Sequence, residues 1–524
     1  MTSAPNPGTP PDERLDPRRA NAVLLILSAI ALMVTYVETM VVPAFVRFGV
    51  FFDHPAYSTI SWILSAYLLV GVASTPILGK LGDLYGKKRV LLALLTVYSI
   101  AVTVAGFTPQ IGGALGIARS SQIYLLIAVR GVQGIGMAMF PLAFAMIGEE
   151  FPPKKVATAQ GVVSAMFAAG AALGLAGGAW LTQNFGWQLT YHTVVPFAFL
   201  TLALTAIVLV ESRHRLKTPL DIPGAASLGG ALALFLVGLS QGPSWGWGST
   251  DAYSLGGLPL GVVQMFVGSL LLTAFFLYWE PRSPNPIVDF GRLKQRNILI
   301  SNIIGLIAGA AMFLIFVTNS ILLQIPIVGL NQSVLAFGLI SLPTALGMLA
   351  TGPFLGYGVS RLGPKPVMML GAALLCAGGL LLAEFNRSVI DFVVFTIPGL
   401  VGVIGLFIGM TNVIVLSSKR TETGVQTGMN ATFRTLGQSL APVITTTVIA
   451  SFISIVPGPV PRPYPSLEGF QLVYLFVAAL GAVAFVLSAF LTNFRFLADG
   501  TRHDGPATAP AGPGEGASRP AEAV

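Results

Sequence analysis

Long apolar stretches recur along this chain, separated by short polar connections. Each stretch is about 20 residues or longer, the length at which an α-helix crosses roughly 30 Å of hydrocarbon. The pattern predicts fourteen transmembrane helices at 20–43, 59–79, 90–108, 122–147, 158–181, 191–210, 222–241, 256–279, 298–324, 334–357, 365–384, 391–417, 424–452 and 470–492. The fold class expected is therefore an all-α polytopic membrane protein.

Composition agrees with a membrane protein. The 524 residues are 54% hydrophobic and 10% charged, with a mean hydropathy of +0.79, whereas soluble domains carry about 25% charged residues. The single cysteine, Cys376, and four scattered histidines give no disulfide and no metal-ligand spacing. No phosphate-binding Gly-x-x-x-x-Gly-Lys-Ser/Thr loop occurs, so neither an enzyme site nor an ATP-driven pump is indicated.

The basic residues predict the topology. An even number of helices places both termini on one side, and nearly all Lys and Arg residues outside the helices lie on that side. The exceptions are Arg47, Arg119, Arg387 and Arg462. The positive-inside rule then places both termini in the cytoplasm of a multi-pass cell-membrane protein. The net charge of +8 follows from this asymmetry, so the bilayer is the expected partner and nucleic acid is not.

Weak internal repeats predict the domain organisation. Residues 79–88 are similar to 356–365, and residues 161–170 are similar to 428–437. A parallel duplication is a transporter architecture with the substrate site between the repeats. We therefore expect two six-helix pseudo-repeats with two inserted helices, arranged as an N-terminal bundle (20–210), the inserted helices (222–279), a cytoplasmic linker (280–297) and a C-terminal bundle (298–492).

The two tails and the linker have a different composition. Residues 1–19 and 498–524 are rich in Pro, Ala, Gly and charge, which predicts two disordered cytoplasmic tails. The linker contains an apolar Ile287-Val288-x-Phe290 segment that is consistent with a short interfacial helix.

The turn after the second helix places one acid and several bases between glycines, at Gly79, Asp83, Gly86, Lys87 and Arg89. Asp83 is suited to cap the N-terminus of a neighbouring helix. Lys87 and Arg89 are expected to pair with Glu149 or Glu150 at the inner end of helix 4 and to lock the cytoplasmic face. The alternative is a topology signal alone, which accounts for the bases but not for the acid and glycines.

Three charges lie within predicted helices, and each is costly in lipid, by about 2.5–3.5 kcal/mol on insertion scales. Glu38 lies roughly 7 Å and Arg130 roughly 12 Å from the outer ends of their helices, which predicts a direct or water-linked pair used in proton coupling. Alternatively, Glu38 is solvated in an outer vestibule. Arg434 is predicted to line the cavity with Gln438 and Gln133, or else to be a structural cation bonded to helix carbonyls and Gln438.

Helix 5 has a glycine face, Gly170, Gly174 and Gly178, which allows close approach of a neighbouring helix. Such a face fits a tight gate, and static packing is the alternative. An adaptable apolar pocket is also predicted, with core packing as its alternative, from Met33, Met40, Met137, Met139, Phe140, Met166 and Phe167.

The motifs resemble the major facilitator superfamily, in its fourteen-helix drug:proton antiporter branch, over residues 20–495. The turn at 79–90 is similar to the family's Gly-x-Leu-x-Asp-Arg-x-Gly-Arg-Lys pattern, with Leu84 in place of the first Arg. Helix 4 matches the proton-coupling motif in full, from Leu126 through Arg130 to Gly136. Helix 5 departs from the antiporter motif at Leu175, and in helix 1 Val37 replaces the family's Asp.

The resemblance implies a proton-coupled exporter of amphiphilic small molecules that works by alternating access. We expect no enzymatic activity, no cofactor other than the proton gradient, and function as a single subunit. The few fixed charges favour neutral or monocationic lipophilic substrates. The alternative is a non-coupled facilitator or a transporter of lipids or lipophilic metabolites on the same fold.

Overall fold

The computed structural model describes residues 17–53, 55, 57–151, 153–211, 221–255, 258–284, 286, 288, 290–417, 423–456, 462–492, 495–496 and 502–503. Within these ranges some side chains, including those of Asp83, Glu149 and Glu150, are not described. The predicted disordered tails fall almost entirely outside the described residues.

Helices account for nearly all of the described chain. They are α1 (Pro17–Thr39), α2 (Phe45–Phe51), α3 (Tyr57–Tyr85), α4 (Lys87–Gly106), α5 (Thr108–Ala114), α6 (Gln122–Gly134), α7 (Met139–Glu150), α8 (Pro153–Phe185), α9 (Trp187–Val208), α10 (Ile222–Trp245), α11 (Val262–Trp279), α12 (Phe290–Leu293), α13 (Arg296–Gln324), α14 (Val334–Leu362), α15 (Pro364–Glu384), α16 (Val389–Ser417), α17 (Thr423–Ser451) and α18 (Leu467–Ala489).

Three short 3₁₀ segments complete the helical structure, at Arg119–Ser121, Ile135–Ala138 and Glu280–Arg282. The second joins α6 to α7. Among the described residues, 11 helical spans are long and apolar enough to cross a membrane, and Thr59–Thr75 within α3 is a shorter apolar helix. Every predicted stretch contains a helix, so the all-helical membrane fold is confirmed, while a total of fourteen crossings stays a prediction.

Short hairpins interrupt this helical pattern: β1 (Tyr253–Leu255) with β2 (Leu258–Leu260), β3 (Ile453–Val456) with β4 (Arg462–Pro465), and β5 (Arg495–Phe496) with β6 (Arg502–His503). The first corrects the eighth predicted helix, which begins at Val262 rather than at residue 256. Pro259 lies in β2 and lacks the N–H that a helix interior needs.

The long helices pack as two groups with the same internal pairing. In the first group, α1–α9, the pairs are α1 with α8, α3 with α6, and α4 with α9. In the second group, α13–α18, the corresponding pairs are α13 with α17, α14 with α16, and α15 with α18. The groups meet where α3 contacts α17 and α8 contacts α14. In this pairing α3 corresponds to α14 and α8 corresponds to α17, so the contact of α3 with α17 is equivalent to the contact of α14 with α8. This equivalence is expected for two related halves.

Contacts between the groups concentrate on the side away from the chain termini, here called the opposite side. Ser320 Oγ donates to the Val42 carbonyl at 2.6 Å, and Gln324 Nε2 donates to the Pro43 carbonyl at 3.1 Å. These bonds join the ends of α13 and α1. Gly338 of α14 also lies directly against α8 there.

On the other side, called the terminal side, several glycines border open space. A Cβ added at Gly79 of α3, Gly356 of α14 or Gly428 of α17 would have no neighbour within 4 Å. Gly116 and Gly246 on the opposite side are equally open, so these positions show local room for an approaching neighbour and not a difference between the two sides.

The inserted helices α10 and α11 pack on each other, and α10 also contacts α3 and α17. Asp221 begins α10 and accepts from the Gly224 N–H at 2.9 Å and the Trp279 indole N–H at 2.8 Å. Burial alone raises the pKa of Asp221, but these hydrogen bonds, one with Ser283, and the charge of Lys80 lower that pKa below its ordinary value. The end of the α10–α11 pair on the terminal side is thus linked to α3 by the electrostatic interaction of Asp221 with Lys80.

The linker is partly ordered by a buried acid. Glu280 is fully buried, and its carboxylate accepts from the Val288 N–H at 2.6 Å. The short helix predicted around Val288 begins at Phe290 and has four residues, while Ile287 lies outside the described residues.

Candidate functional site

A cavity lies between the two groups of helices, at middle depth. From the first group it is lined by Ile30, Ala31, Val34, Glu38, Val72, Thr75, Met137, Phe140, Pro141 and Phe167, and from the second group by Ala431, Thr432, Arg434, Thr435 and Gln438 of α17. Most of the wall is apolar. Among these lining residues Glu38 is the one acid and Arg434 the one base, so any charge recognition in the cavity depends on them.

Glu38 lies one residue before the end of α1, where the chain turns over the opposite side. Its side chain is only 2% exposed, and its Oε2 atom is buried without a hydrogen-bond partner. The alternative of a solvated outer vestibule therefore does not hold. Glu38 belongs to the buried wall of the cavity, close to the contact that closes the opposite side.

Arg130 of α6 is fully buried behind this wall. Its Nε donates to the Ile63 carbonyl at 3.0 Å, and its NH1 donates to Gln133 Oε1 at 2.9 Å and to the Val37 carbonyl at 3.4 Å. The guanidinium carbon lies 4.4 Å from the centroid of the Tyr67 ring. Val37 is in the last turn of α1, whose carbonyls lack helical partners, so Arg130 caps that end.

The predicted Glu38–Arg130 pair is not a direct contact. Among the described residues, neither side chain has an ion pair within 4.0 Å. The Glu38 carboxylate interacts electrostatically with both arginines, and the interaction with Arg434 is stronger than the one with Arg130. The residue facing Glu38 from across the cavity therefore belongs to the second group of helices.

Arg434 has aromatic neighbours instead of hydrogen-bond acceptors. Its guanidinium carbon lies 5.6 Å from the Phe167 ring centroid and 5.3 Å from that of Phe407. The Nε atom is buried without a partner, and no side-chain hydrogen bond of Arg434 occurs within the described chain. The alternative prediction, in which helix carbonyls and Gln438 hold Arg434, is therefore wrong for this conformation.

The other predicted cavity residues divide into two sets. Gln438 lines the cavity, but Gln133 does not; it is fully buried and accepts a hydrogen bond from Arg130. Of the predicted apolar pocket, the lining members are Met137, Phe140 and Phe167, whereas Met33, Met40 and Met139 are buried in the core. Tyr67 was missed, because an aromatic residue inside an apolar stretch carries no signal until packing places it beside a charge.

The glycine face of α8 packs against α1, which carries Glu38. A Cβ at Gly170 would overlap the Leu32 backbone, and one at Gly174 or Gly178 would overlap the backbone near Met40. Thr39 Oγ1 also donates to the Ala171 carbonyl at 3.1 Å. The face therefore fixes α1 within the first group and does not join the two groups, which favours packing over a gate.

The turn between α3 and α4 is organised by an acid that the sequence did not single out. Glu211, just beyond α9, accepts from the N–H groups of Lys88 and Arg89 at 3.1 Å each, and its Oε2 lies 3.7 Å from Arg89 Nε. A carboxylate at this position complements the N-terminus of α4. Gly86 has φ 106°, and a Cβ there would overlap the Glu211 carboxylate, so glycine is required twice over.

The remaining predictions for this turn have mixed outcomes. Lys87 is buried at the start of α4, and Gly79 borders open space, so no close approach requires its glycine in this conformation. The side chains of Asp83, Glu149 and Glu150 lie outside the described residues. The capping role expected of Asp83 and the pairing expected of the two glutamates stay predictions.

Comparisons with known proteins agree with this architecture. The model of the Major Facilitator Superfamily matches residues 24–442. The tetracenomycin C resistance and export protein of Streptomyces glaucescens is 27% identical over 408 residues, which cover 76% of this chain and 70% of that protein. The multidrug transporter protein MdtP of Bacillus subtilis is 26% identical over 389 residues, 74% of this chain and 67% of that protein.

Among solved structures, the fold is similar to the partially occluded, inward-open xylose transporter XylE from E. coli. The TM-score is 0.60 at 12% sequence identity, with 90% of this chain and 99% of that chain covered. This similarity concerns the fold alone. Because the family match spans most of the chain and the relatives are drug-resistance and export proteins, this multi-pass membrane protein is a transporter rather than an enzyme and belongs to the Major Facilitator Superfamily.

Proposed function

We propose that the protein is a proton-coupled exporter that exchanges amphiphilic small molecules for protons by alternating access. The observation that carries this proposal is the position of Glu38, a buried acid in a mostly apolar cavity between two groups of helices. A cavity between repeats that rock against each other is the usual transporter arrangement. The resistance and export functions named for the relatives support the same direction of transport.

In this proposal the two groups are six-helix bundles, fourteen helices cross the cell membrane, both termini are cytoplasmic, and one subunit suffices. The terminal side is then the cytoplasmic side. The hydrogen bonds of Ser320 and Gln324, which join the two groups on the opposite side, support an inward-facing conformation that takes substrate from the cytoplasm. Breaking these bonds while the cytoplasmic side closes would present the cavity outward.

The turn between α3 and α4 is proposed to lock the cytoplasmic side when it closes. Gly79 borders open space here. In the alternate conformation another helix would pack closely against Gly79, and a residue with a side chain would prevent that approach. The glycine face at Gly170, Gly174 and Gly178 keeps α1 aligned while the bundles move.

A second candidate function is uncoupled facilitation, or transport of lipids or lipophilic metabolites. The observation that favours it is that Glu38 is the single acid among the lining residues. A single acid can carry few protons in each transport cycle. If Glu38 binds no proton, the cavity is a passive pathway.

The test is efflux of a lipophilic cationic dye and of an uncharged dye from cells, with and without a protonophore, for the wild type and Glu38→Gln. We expect efflux that stops with the protonophore and is lost in Glu38→Gln. Efflux that survives the protonophore would exclude proton coupling and support facilitation. Gradient-dependent efflux that survives Glu38→Gln would keep the exchange but assign the proton to another group, with Asp83 the next to test.

A further inference from the structure

Two opposite charges face one cavity and interact with each other, but neither has all of its polar atoms hydrogen bonded by the protein. Glu38 on α1 and Arg434 on α17 both line it. Each has a buried polar atom without a hydrogen-bond partner, Oε2 in Glu38 and Nε in Arg434. Within the described residues neither side chain has an ion pair within 4.0 Å. Because an unmatched charge at this depth is costly, a group from outside the protein is expected to complete each of them.

The other buried cation is not available for this purpose. Arg130 donates hydrogen bonds to the carbonyls of Ile63 and Val37 and to the Gln133 amide oxygen. Its NH2 atom has no partner, but Arg130 is not among the residues that line the cavity. Arg434 is therefore the positive group that a molecule in the cavity meets. An arginine keeps its charge in proteins and offers five N–H donors in one plane, which suits a carboxylate or an ionised phenol.

The surfaces beside these charges are aromatic. The Arg434 guanidinium lies near one ring from each group of helices, Phe167 and Phe407. Phe140 lies 5.1 Å from Phe167 between ring centroids and also lines the cavity. A flat aromatic molecule can stack on such rings while its polar ends reach the two charges.

We propose that the substrate is an amphoteric aromatic amphiphile, whose ammonium group pairs with Glu38 and whose anionic oxygen pairs with Arg434. This proposal rests on the transport function proposed above and names its substrate class. A molecule with only a cation, such as the dye of the transport test, would pair with Glu38 but leave Arg434 unmatched, so it would bind more weakly than the amphoteric ligand. A molecule with only an anion would match Arg434 but would be repelled by ionised Glu38.

The amphoteric ligand also gives proton exchange the correct sign. Its ammonium group binds the ionised form of Glu38 and competes with a proton for the carboxylate, so ligand binding releases a proton. The charged or titratable groups that interact with Glu38 are Arg434 on α17, Arg130 on α6, Tyr67 on α3 and Tyr98 on α4. Proton release on binding should therefore disappear when Glu38 alone is replaced by Gln.

The test uses the full chain in lipid nanodiscs without a gradient, and four probes that share one naphthalene ring. They are 6-(aminomethyl)-2-naphthoic acid, its methyl ester, its N-acetyl derivative and the N-acetyl methyl ester, which carry both charges, only the cation, only the anion and neither. For the wild type we expect the amphoteric probe to bind about tenfold more tightly than each of the others. A pH indicator in weak buffer should report proton release on its binding.

The variants assign each charge. In Arg434→Gln the preference for the carboxylate over its ester should vanish while the preference for the free amine remains, and Glu38→Gln should do the reverse. Arg434→Lys keeps the charge and should restore part of the carboxylate preference. Gln438→Leu is the matched control, because it alters the same wall without a charge and should affect all four probes alike.

Several outcomes would overturn the proposal. These are equal wild-type affinity for the ester and the amphoteric probe, no measurable binding of any probe, or equal weakening of all four probes by Arg434→Gln. Because binding needs no gradient, failure of the transport proposal is seen separately. Loss of protonophore sensitivity in cells, with the charge preferences intact in nanodiscs, would reject exchange but keep the ligand class.

Discussion

Arg130 and Arg434 are both arginines inside α-helices, but their surroundings differ. Arg130 is fully buried, with hydrogen bonds to two main-chain carbonyls and one amide oxygen. Arg434 lines the cavity beside Phe167 and Phe407, and its guanidinium has no hydrogen bond within the described chain. Arg130 also has one buried nitrogen without a partner, NH2, but it does not line the cavity. The arginine with three hydrogen bonds is therefore expected to stabilise the fold, and the arginine that has none and lines the cavity is available for a ligand.

The difference also changes which residue is expected to affect function directly. The motif containing Arg130 suggests proton coupling, yet its guanidinium ties α6 to α1 and α3, so its effect on Glu38 passes through the position of α1. Arg434, in α17, lies in the repeated segment 428–437 and outside the family motifs, but it has the stronger electrostatic effect on Glu38. Stability and ligand selectivity should therefore separate between the two arginines.

The largest effect is expected for Arg130→Met. It removes a charged donor from buried carbonyls and should lower the free energy of unfolding by about 3 kcal/mol. Thermal unfolding in detergent, followed by circular dichroism, measures this. Arg130→Lys should recover only part of the loss, because one ammonium cannot reproduce the planar set of bonds. An unchanged melting temperature for Arg130→Met would remove the basis of the comparison.

An intermediate effect on stability is expected at Asp221. Like Arg130, this buried charged group has hydrogen bonds within the protein, here from Gly224 and Trp279. Its pKa is lowered in the folded protein by those bonds, so its stabilising contribution is present above the unfolded pKa, about 3.9, and is lost as pH falls through the folded pKa. Asp221→Ala should cost about 1 kcal/mol at neutral pH. Asp221→Asn keeps an acceptor and should cost less.

Urea unfolding between pH 7 and pH 3 measures the pH effect at Asp221. The difference in stability between the wild type and Asp221→Ala should shrink on acidification below about pH 4. A difference that stays constant across this range would mean that the charge of Asp221 contributes nothing, and that only its capping geometry matters.

The smallest effect on stability is expected for Arg434→Met. Removing a charge without partners loses no hydrogen bond, so the free energy of unfolding should change by less than about 1 kcal/mol, or increase. The same thermal unfolding assay provides the measurement, with Arg130→Met as the reference. A loss as large as that of Arg130→Met would mean that Arg434 is structural, and the contrast between the two residues would collapse.

The sequence predicted the all-helical membrane fold because hydrophobic length is a local property, and each of the fourteen predicted stretches contains a helix. The prediction was wrong at the start of the eighth helix. The apolar residues before Val262 suggested helix, but the chain there forms a hairpin through Pro259. The placement of Glu38, Arg130 and Arg434 within helices was also predictable from sequence.

The partners of these charges were not readable. Glu211 lies more than a hundred residues from the turn that it caps, and the carbonyls that receive Arg130 belong to apolar residues without any signal. Main-chain acceptors look the same at every position of a sequence. Only the packing of α1, α3 and α6 shows which of them meet an arginine, and hence which arginine is left for the cavity.

The hydrogen bonds of Arg130 also have a consequence for how the chain enters the membrane. Both carbonyls that receive it, from Val37 and Ile63, belong to helices synthesised before α6. Because N-terminal segments emerge first, the acceptors are already in the bilayer when the arginine arrives, and its insertion penalty is lowered at that moment. For Arg130, the order of the helices along the chain thus serves as an assembly sequence, in which α1 and α3 supply two acceptors before α6 supplies the arginine.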